Sequence, residues 1–261
     1  MRLRKAPYWT ELYYQIVEHY FWRPQAIGRR SDPSKRHPWD YWKNKLESQE
    51  VPLNHVLEFL FYIAPEHLLD RIISALLGRE IINLELVVPE PGSLNYNIVQ
   101  PDIIISNGNE LVFVEMKVDS KSSIDQFAKY AIAAIYLIDN DPTISSVDLV
   151  ILSRHTKHEC LWKNSKKLGL TNEKALREMA ITGIERDRSV WGERGVKRFL
   201  ANNPDAAEKL AERLRTMGLH ITDYATLAHI LQDYATEETA VNRLIQGVLE
   251  ELLRRNLVQY I

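Results

Sequence analysis

The chain has 261 residues, 45% of them hydrophobic and 26% charged, with a formal net charge of −2, enough for one sizeable core and a satellite domain. Its one cysteine, Cys160, excludes an internal disulfide and any multi-cysteine zinc or iron–sulfur site, and points to a reducing cytoplasm. The opening Met-Arg-Leu-Arg-Lys-Ala-Pro has charges but no apolar centre, so no secretory leader is expected. Nor does any run approach the roughly 18 apolar residues of a membrane span. The small net charge conceals an asymmetry: residues 1–45 sum to +6, 46–153 to −11, 154–198 to +6 and 199–261 to −3. An acidic middle between basic segments suits a metal-dependent enzyme acting on a polyanion, and is equally the surface of an ordinary near-neutral protein.

Residues 8–20 carry apolar side chains at helical spacing and predict an amphipathic helix. Residues 23–45 predict a loop with Pro24, Pro33 and Pro38, whose cations Arg29, Arg30, Lys35 and Arg36 lie among the aromatics Trp22, Trp39, Tyr41 and Trp42. Such a mixture serves base stacking with phosphate contact, and it serves loop anchoring. From Pro52 to Leu77 the apolar period predicts a long helix that bends at Ala64-Pro65, because proline disfavours a helical residue before it. Within it Glu58 stands among core-type residues. Residues 81–88 predict a strand, followed by a loop from Pro89 to Asn97.

Two β-branched runs follow, 98–106 and 111–118, around Ser-Asn-Gly-Asn-Glu, the composition of a strand, a tight turn and a strand. Three charged residues interrupt the oily strands: Asp102, Glu115 and Lys117. Charges are almost never buried unless paired or bound to a metal. A turn at Asn107-Gly108 sets Asp102 against Phe113, and one at Gly108-Asn109 sets it against Glu115. Either register puts Asp102, Glu115 and Lys117 on one face, about 4.5–8 Å apart. Two carboxylates beside an ammonium make a hard, oxygen-rich site suited to Mg²⁺ or Mn²⁺. Residues 123–138 predict a helix whose Gln126 and Tyr130 share a face, and residues 147–153 predict a further strand.

Pro101-Asp102, twelve residues, then Glu115-Met116-Lys117 on a hairpin, followed by Gln126-x-x-x-Tyr130, resembles the PD-(D/E)XK nuclease superfamily. The last element is similar to that of its recombination-exonuclease branch. The resemblance covers residues 52–155 and implies an α/β fold with a restriction-endonuclease-like αβββαβ core, its mixed sheet flanked by helices. It implies a Mg²⁺-dependent nuclease, with Mn²⁺ as an alternate ion, acting on DNA rather than RNA in repair or in defence against foreign DNA. Asp102, Glu115 and the Met116 carbonyl would be metal ligands, and Glu58 from the preceding helix an additional one, with Glu66 as its substitute. Lys117 would orient water or stabilise charge, while Gln126 and Tyr130 would position the substrate or Lys117. Gln126 and Tyr130 equally suit a helix face packed on a sheet, and Glu58 equally suits a solvent-facing position. A catalytically silent nucleic-acid-binding or structural protein of the same fold is the alternative. In a third reading, Glu115 and Lys117 form a surface ion pair at a sheet edge. A homodimer is the assembly that concerted double-strand cuts would need.

Beyond the last predicted strand, His155, His158 and Cys160 lie close in sequence but lack a second ligand pair, so a basic surface loop is expected rather than zinc. Trp162, Lys163, Lys166 and Lys167 continue that loop toward phosphate-binding chemistry. Residues 171–261 predict helices near 171–180, 193–201, 204–216, 222–234 and 238–255. Asn203-Pro204 and Thr222 are read as helix starts and Gly218 as a stop. The expected organisation is an N-terminal helix and basic loop over 1–50, a nuclease core over 51–160 and a helical region over 161–261. No internal repeat, phosphate-binding glycine loop or nucleophilic Ser/Cys–His arrangement is discernible.

Overall fold

The computed structural model describes residues 50–87, 99, 101–185, 196–203, 205–234 and 239–259. The predicted N-terminal helix, the basic aromatic loop, the loop over 89–97 and Pro204 lie outside the described residues. The chain divides into two compact units, one of residues 1–68 and 224–261, the other of residues 69–223.

In the first unit, α1 (Glu50–Ile63) ends as the sequence predicts, at Ala64-Pro65; α2 (Glu66–Leu77) restarts immediately after, and from residue 69 on it belongs to the second unit. Helix α1 buries Leu53, Val56, Leu57, Leu60 and Phe61, an i, i+3, i+4 stripe that needs a partner face. That partner is α10 (Thr239–Arg254), itself packed on α9 (Tyr224–Asp233). Arg255 and Glu251 form an ion pair at 3.3 Å with both side chains fully buried.

The second unit is an α/β assembly around a five-stranded mixed sheet in the order β1-β2-β3-β4-β5. The strands are β1 (Glu85–Leu86), β2 (Ile103–Ser106), β3 (Glu110–Lys117), β4 (Ser146–Ser153) and β5 (Gly218–Asp223). Neighbours β1 to β3 are antiparallel, whereas β3 to β5 run parallel. Parallel neighbours need crossovers. Helix α3 (Ile124–Asn140) joins β3 to β4, and the segment joining β4 to β5 holds α4 (His158–Leu161), α5 (Ser165–Leu168), α6 (Glu173–Glu185), α7 (Val196–Asn202) and α8 (Ala206–Thr216). Phe113, Leu149, Ile151 and Leu219 from one sheet face share a core with Phe127, Tyr130 and Ala134 of α3, Leu176 of α6 and Leu214 of α8. Val112, Val114, Met116, Val150 and Leu152 on the other face are buried as well. Both faces are therefore covered, which accounts for the near-continuous apolar runs of β3 and β4.

Two expectations are corrected. Residues 81–84 are not strand: Asn83 adopts φ 58°, and the Asp70 carboxylate accepts from the N–H groups of Asn83 at 3.0 Å and Leu84 at 2.9 Å. Backbone donors captured by a side chain are lost to a ladder, so β1 keeps two residues. The region after 160 is not wholly helical either. Gly218 opens β5 rather than merely ending a helix, and Thr222 sits inside that strand rather than capping α9. Arg177 of α6 helps fix this junction: its guanidinium donates to the carbonyls of Leu214 and Met217 and lies 5.7 Å from the Phe127 ring centroid.

On the second face of the sheet, Asp148 of β4 accepts from Arg79 at 2.8 Å and pairs with His220 Nε2 at 2.8 Å, while Arg79 also reaches Glu110 at 2.9 Å. Burial pushes the Asp148 carboxyl up, but hydrogen bonds from His220 and then Arg79 outweigh it and hold it below the ordinary 3.8. A carboxyl lowered by folding contributes stability that is complete above its unfolded value and is lost as pH falls through the folded one. Urea unfolding at stepped pH below about 5 should therefore show a shallower acid loss for Asp148→Asn than for wild type. Parallel curves would remove Asp148 as a source of the acid sensitivity.

Candidate active site

The hairpin turn decides how the charged residues meet. Gly108 has φ 87°, and Asn107 Oδ1 accepts from the N–H groups of Asn109 at 3.1 Å and Glu110 at 2.9 Å. Glycine at the first central position is what a II′ turn requires. The register is Ile103 with Val114 and Ile104 with Phe113; one step further sets Asp102 opposite Glu115 and Pro101 opposite Met116. Of the two registers open to the sequence, the turn at Gly108-Asn109 is the one adopted.

That register explains the proline. Proline has no N–H to give the ladder, so regular pairing stops at the position facing Met116. The Met116 N–H donates instead to Asp102 Oδ2 at 2.8 Å, which fixes the half-buried Asp102 side chain at the strand end. On a strand the N–H and C=O of one residue point to the same side. The Met116 carbonyl therefore faces the same strand end as Asp102.

Strand β3 is third of five, with Glu115 4% and Lys117 8% exposed. An ion pair at a sheet edge is thereby ruled out. Glu115 Oε1 accepts from Gln126 Nε2 at 2.5 Å and pairs with Lys117 Nζ at 2.5 Å, while Oε2 accepts from the Tyr130 hydroxyl. Three donors thus converge on one buried carboxylate, two of them delivered by α3. Ser123 sets the phase of that helix, because its side chain accepts from the Gln126 N–H at 3.1 Å as the N-cap. Tyr130 is fully buried against Phe113, with ring centroids 5.4 Å apart. Its hydroxyl is raised well above the usual 10.0 by burial first, and then by the negative charges of Glu115 and Asp102. It is a fixed donor and not a base.

Asp102, Glu115, Lys117, Gln126 and Tyr130 thus lie together in one unit. Glu58 is exposed on α1, and Glu66 is exposed in the first turn of α2; both belong to the other unit. His155, His158 and Cys160 hold no common centre: His158 Nδ1 accepts from Trp162 Nε1 at 3.1 Å, and Cys160 is exposed. The Asp148–His220–Arg79 cluster lies outside the sequence motif, although Asp148 in an oily strand carries the same signal as Asp102.

Among the described residues no three His, Cys, Asp or Glu side chains come together to hold an ion. Mg²⁺ usually keeps several waters and takes one or two carboxylates. Asp102, Glu115 and the Met116 carbonyl make up a donor set of that composition at one end of the β2–β3 pair. No protein-family model, curated protein or solved structure matches this chain.

Proposed function

We propose that the chain is a metal-dependent nuclease with a restriction-endonuclease-like core, hydrolysing phosphodiester bonds of nucleic acid, DNA ahead of RNA, in repair or in defence against foreign DNA. The observation that carries this reading is the buried Glu115 carboxylate on a central strand, opposite Asp102 and held by Lys117, Gln126 and Tyr130. A carboxylate in the sheet core with three dedicated donors is costly unless function requires it.

Asp102, Glu115 and the Met116 carbonyl would hold Mg²⁺, which supplies a lowered pKa for coordinated water and neutralises charge on the phosphoryl oxygen. Asp102 is kept in place by the Met116 N–H. Gln126 and Tyr130 each donate to one oxygen of Glu115 and so fix the orientation of its carboxylate. Lys117 presents its ammonium from the same face, where it stabilises negative charge developing on the phosphate. Glu58 enters this reading only through the family resemblance.

The test is cleavage. Purified protein is incubated with labelled linear duplex DNA, single-stranded DNA and RNA, with Mg²⁺, Mn²⁺ or EDTA. Cleavage is expected with either metal, none in EDTA, and none by Asp102→Ala. Cleavage in EDTA, or by Asp102→Ala at the wild-type rate, rejects the reading. Calorimetric Mn²⁺ binding that Asp102→Ala abolishes, without any cleavage, favours the catalytically silent alternative.

A further inference from the structure

Strands β3 and β4 are parallel with Lys117 beside Ser153, so both leave the sheet at the same end. The chain leaving β3 passes Lys121, Ser122 and the Ser123 cap on its way to Gln126, and the chain leaving β4 passes α4 and α5. These two segments are joined. Ser122 bridges Trp162: the Ser122 N–H donates to the Leu161 carbonyl at 2.9 Å, and the Lys163 N–H donates to the Ser122 carbonyl at 2.8 Å. Trp162 is fully buried with its ring edge-on to Phe127 of α3 at 6.2 Å, and Ser165 Oγ donates to the Glu159 carbonyl at 2.6 Å. Residues 157–168 are thus a fixed platform on the link between Lys117 and Gln126.

The platform carries Lys157, Lys163, Lys166 and Lys167, and Lys121 belongs to the segment it is joined to; all five are exposed. Elsewhere in this unit Lys129 pairs with Asp125, Arg154 with Asp119, Arg177 with Glu173 and Lys209 with Asp139. None of the five has a carboxylate partner among the described residues, and Glu159 is the one acidic residue between 157 and 168. Unpaired cations carried on a fixed backbone beside an acidic centre are what a polyanionic substrate needs if it is to approach carboxylates that repel it.

We infer that this lysine platform grips the sugar–phosphate backbone of the nucleic acid flanking the bond at the Glu115 site. The inference rests on the nuclease reading for its substrate. Each lysine that neutralises a phosphate releases condensed counterion, so the logarithm of the binding constant falls with the logarithm of salt by about 0.9 per contact on duplex DNA and about 0.7 on single strands.

Binding is read by fluorescence anisotropy of labelled duplex DNA, single-stranded DNA and RNA in EDTA, over about 50–200 mM salt. The proteins are wild type, the triple variant Lys163→Ala/Lys166→Ala/Lys167→Ala, and the control Lys209→Ala, with cleavage in Mg²⁺ measured on the same preparations. The triple variant should bind more weakly on every sequence and lose about 2.7 from the magnitude of the duplex slope, or about 2.1 on a single strand. Lys209→Ala should leave the slope unchanged. A triple variant with the wild-type slope overturns the platform while the Mg²⁺ cleavage still judges the nuclease. A reduced slope in a protein that never cleaves keeps the platform and overturns the nuclease. Wild type that binds none of the three nucleic acids overturns the platform outright.

Discussion

Lys117→Met is expected to lower metal-dependent cleavage about 100- to 1000-fold, the range for removing one group that stabilises developing charge. The same change should cost about 3–5 kcal/mol of stability, because it strands the Glu115 carboxylate in a site where that side chain is 5% exposed. Loss of activity alone would therefore be ambiguous between chemistry and unfolding. Single-turnover cleavage by folded Lys117→Met, below its unfolding midpoint, reads the chemistry. The double variant Lys117→Met/Glu115→Gln reads the stability alone, since it also removes a carboxylate that would hold the metal. Its neutral amide no longer needs a cation, so urea unfolding should recover most of the loss. Wild-type cleavage by Lys117→Met would remove this residue from the chemistry. A double variant as unstable as the single would show that the buried pair is not the source of the instability.

The second large effect belongs to Gly218→Ala. A Cβ there would stand 1.8 Å from Asp148 Oδ1, 2.9 Å from its Cγ and 3.1 Å from His220 Nε2. Asp148 is short and held on both oxygens, so it has nowhere inexpensive to go, and overpacking of this kind costs about 1–3 kcal/mol. The alanine must also loosen the bonds to Arg79 and His220. Asp148→Ala alone should destabilise by a similar amount, discounted because Arg79 is 39% exposed. Combined with Gly218→Ala it removes the side chain that clashes, so the double variant should cost little more than Asp148→Ala. Thermal melts of the three proteins read this directly; strictly additive losses would mean that Gly218 is required for another reason.

The hairpin and its helix are legible because each signal there is local. β-branched runs name the strands, Asn-Gly-Asn names the turn, and Asp102, Glu115 and Lys117 stand out as charges in oil. Ser123 caps a helix three residues before Gln126, as its sequence position suggests. Fifth strand β5 is harder to read. Gly-Leu-His-Ile-Thr-Asp has only modest β-propensity, and the partner that rewards it, β4, is distant in sequence. Ile81-Ile82-Asn83-Leu84 fails for the opposite reason: its composition suits a strand, but Asp70 on the preceding helix takes the backbone donors. Periodicity places Glu58 in α1 without fixing its face; burial of Leu57, Leu60 and Phe61 turns it outward.

The parallel pairing of β4 with β5 also sets a timetable. Strand β4 ends at Ser153 and β5 ends at Asp223, so at about 5–20 residues per second roughly 3–14 s of synthesis separate their emergence from the ribosome. Through that interval Val147 to Leu152 present an unpaired, apolar hydrogen-bonding edge, the template on which other chains aggregate. Helices α6 and α8 emerge before β5, and their packing on α3 shields one face of the nascent sheet without closing the edge. Within this unit the edge closes only when the six residues of β5 arrive.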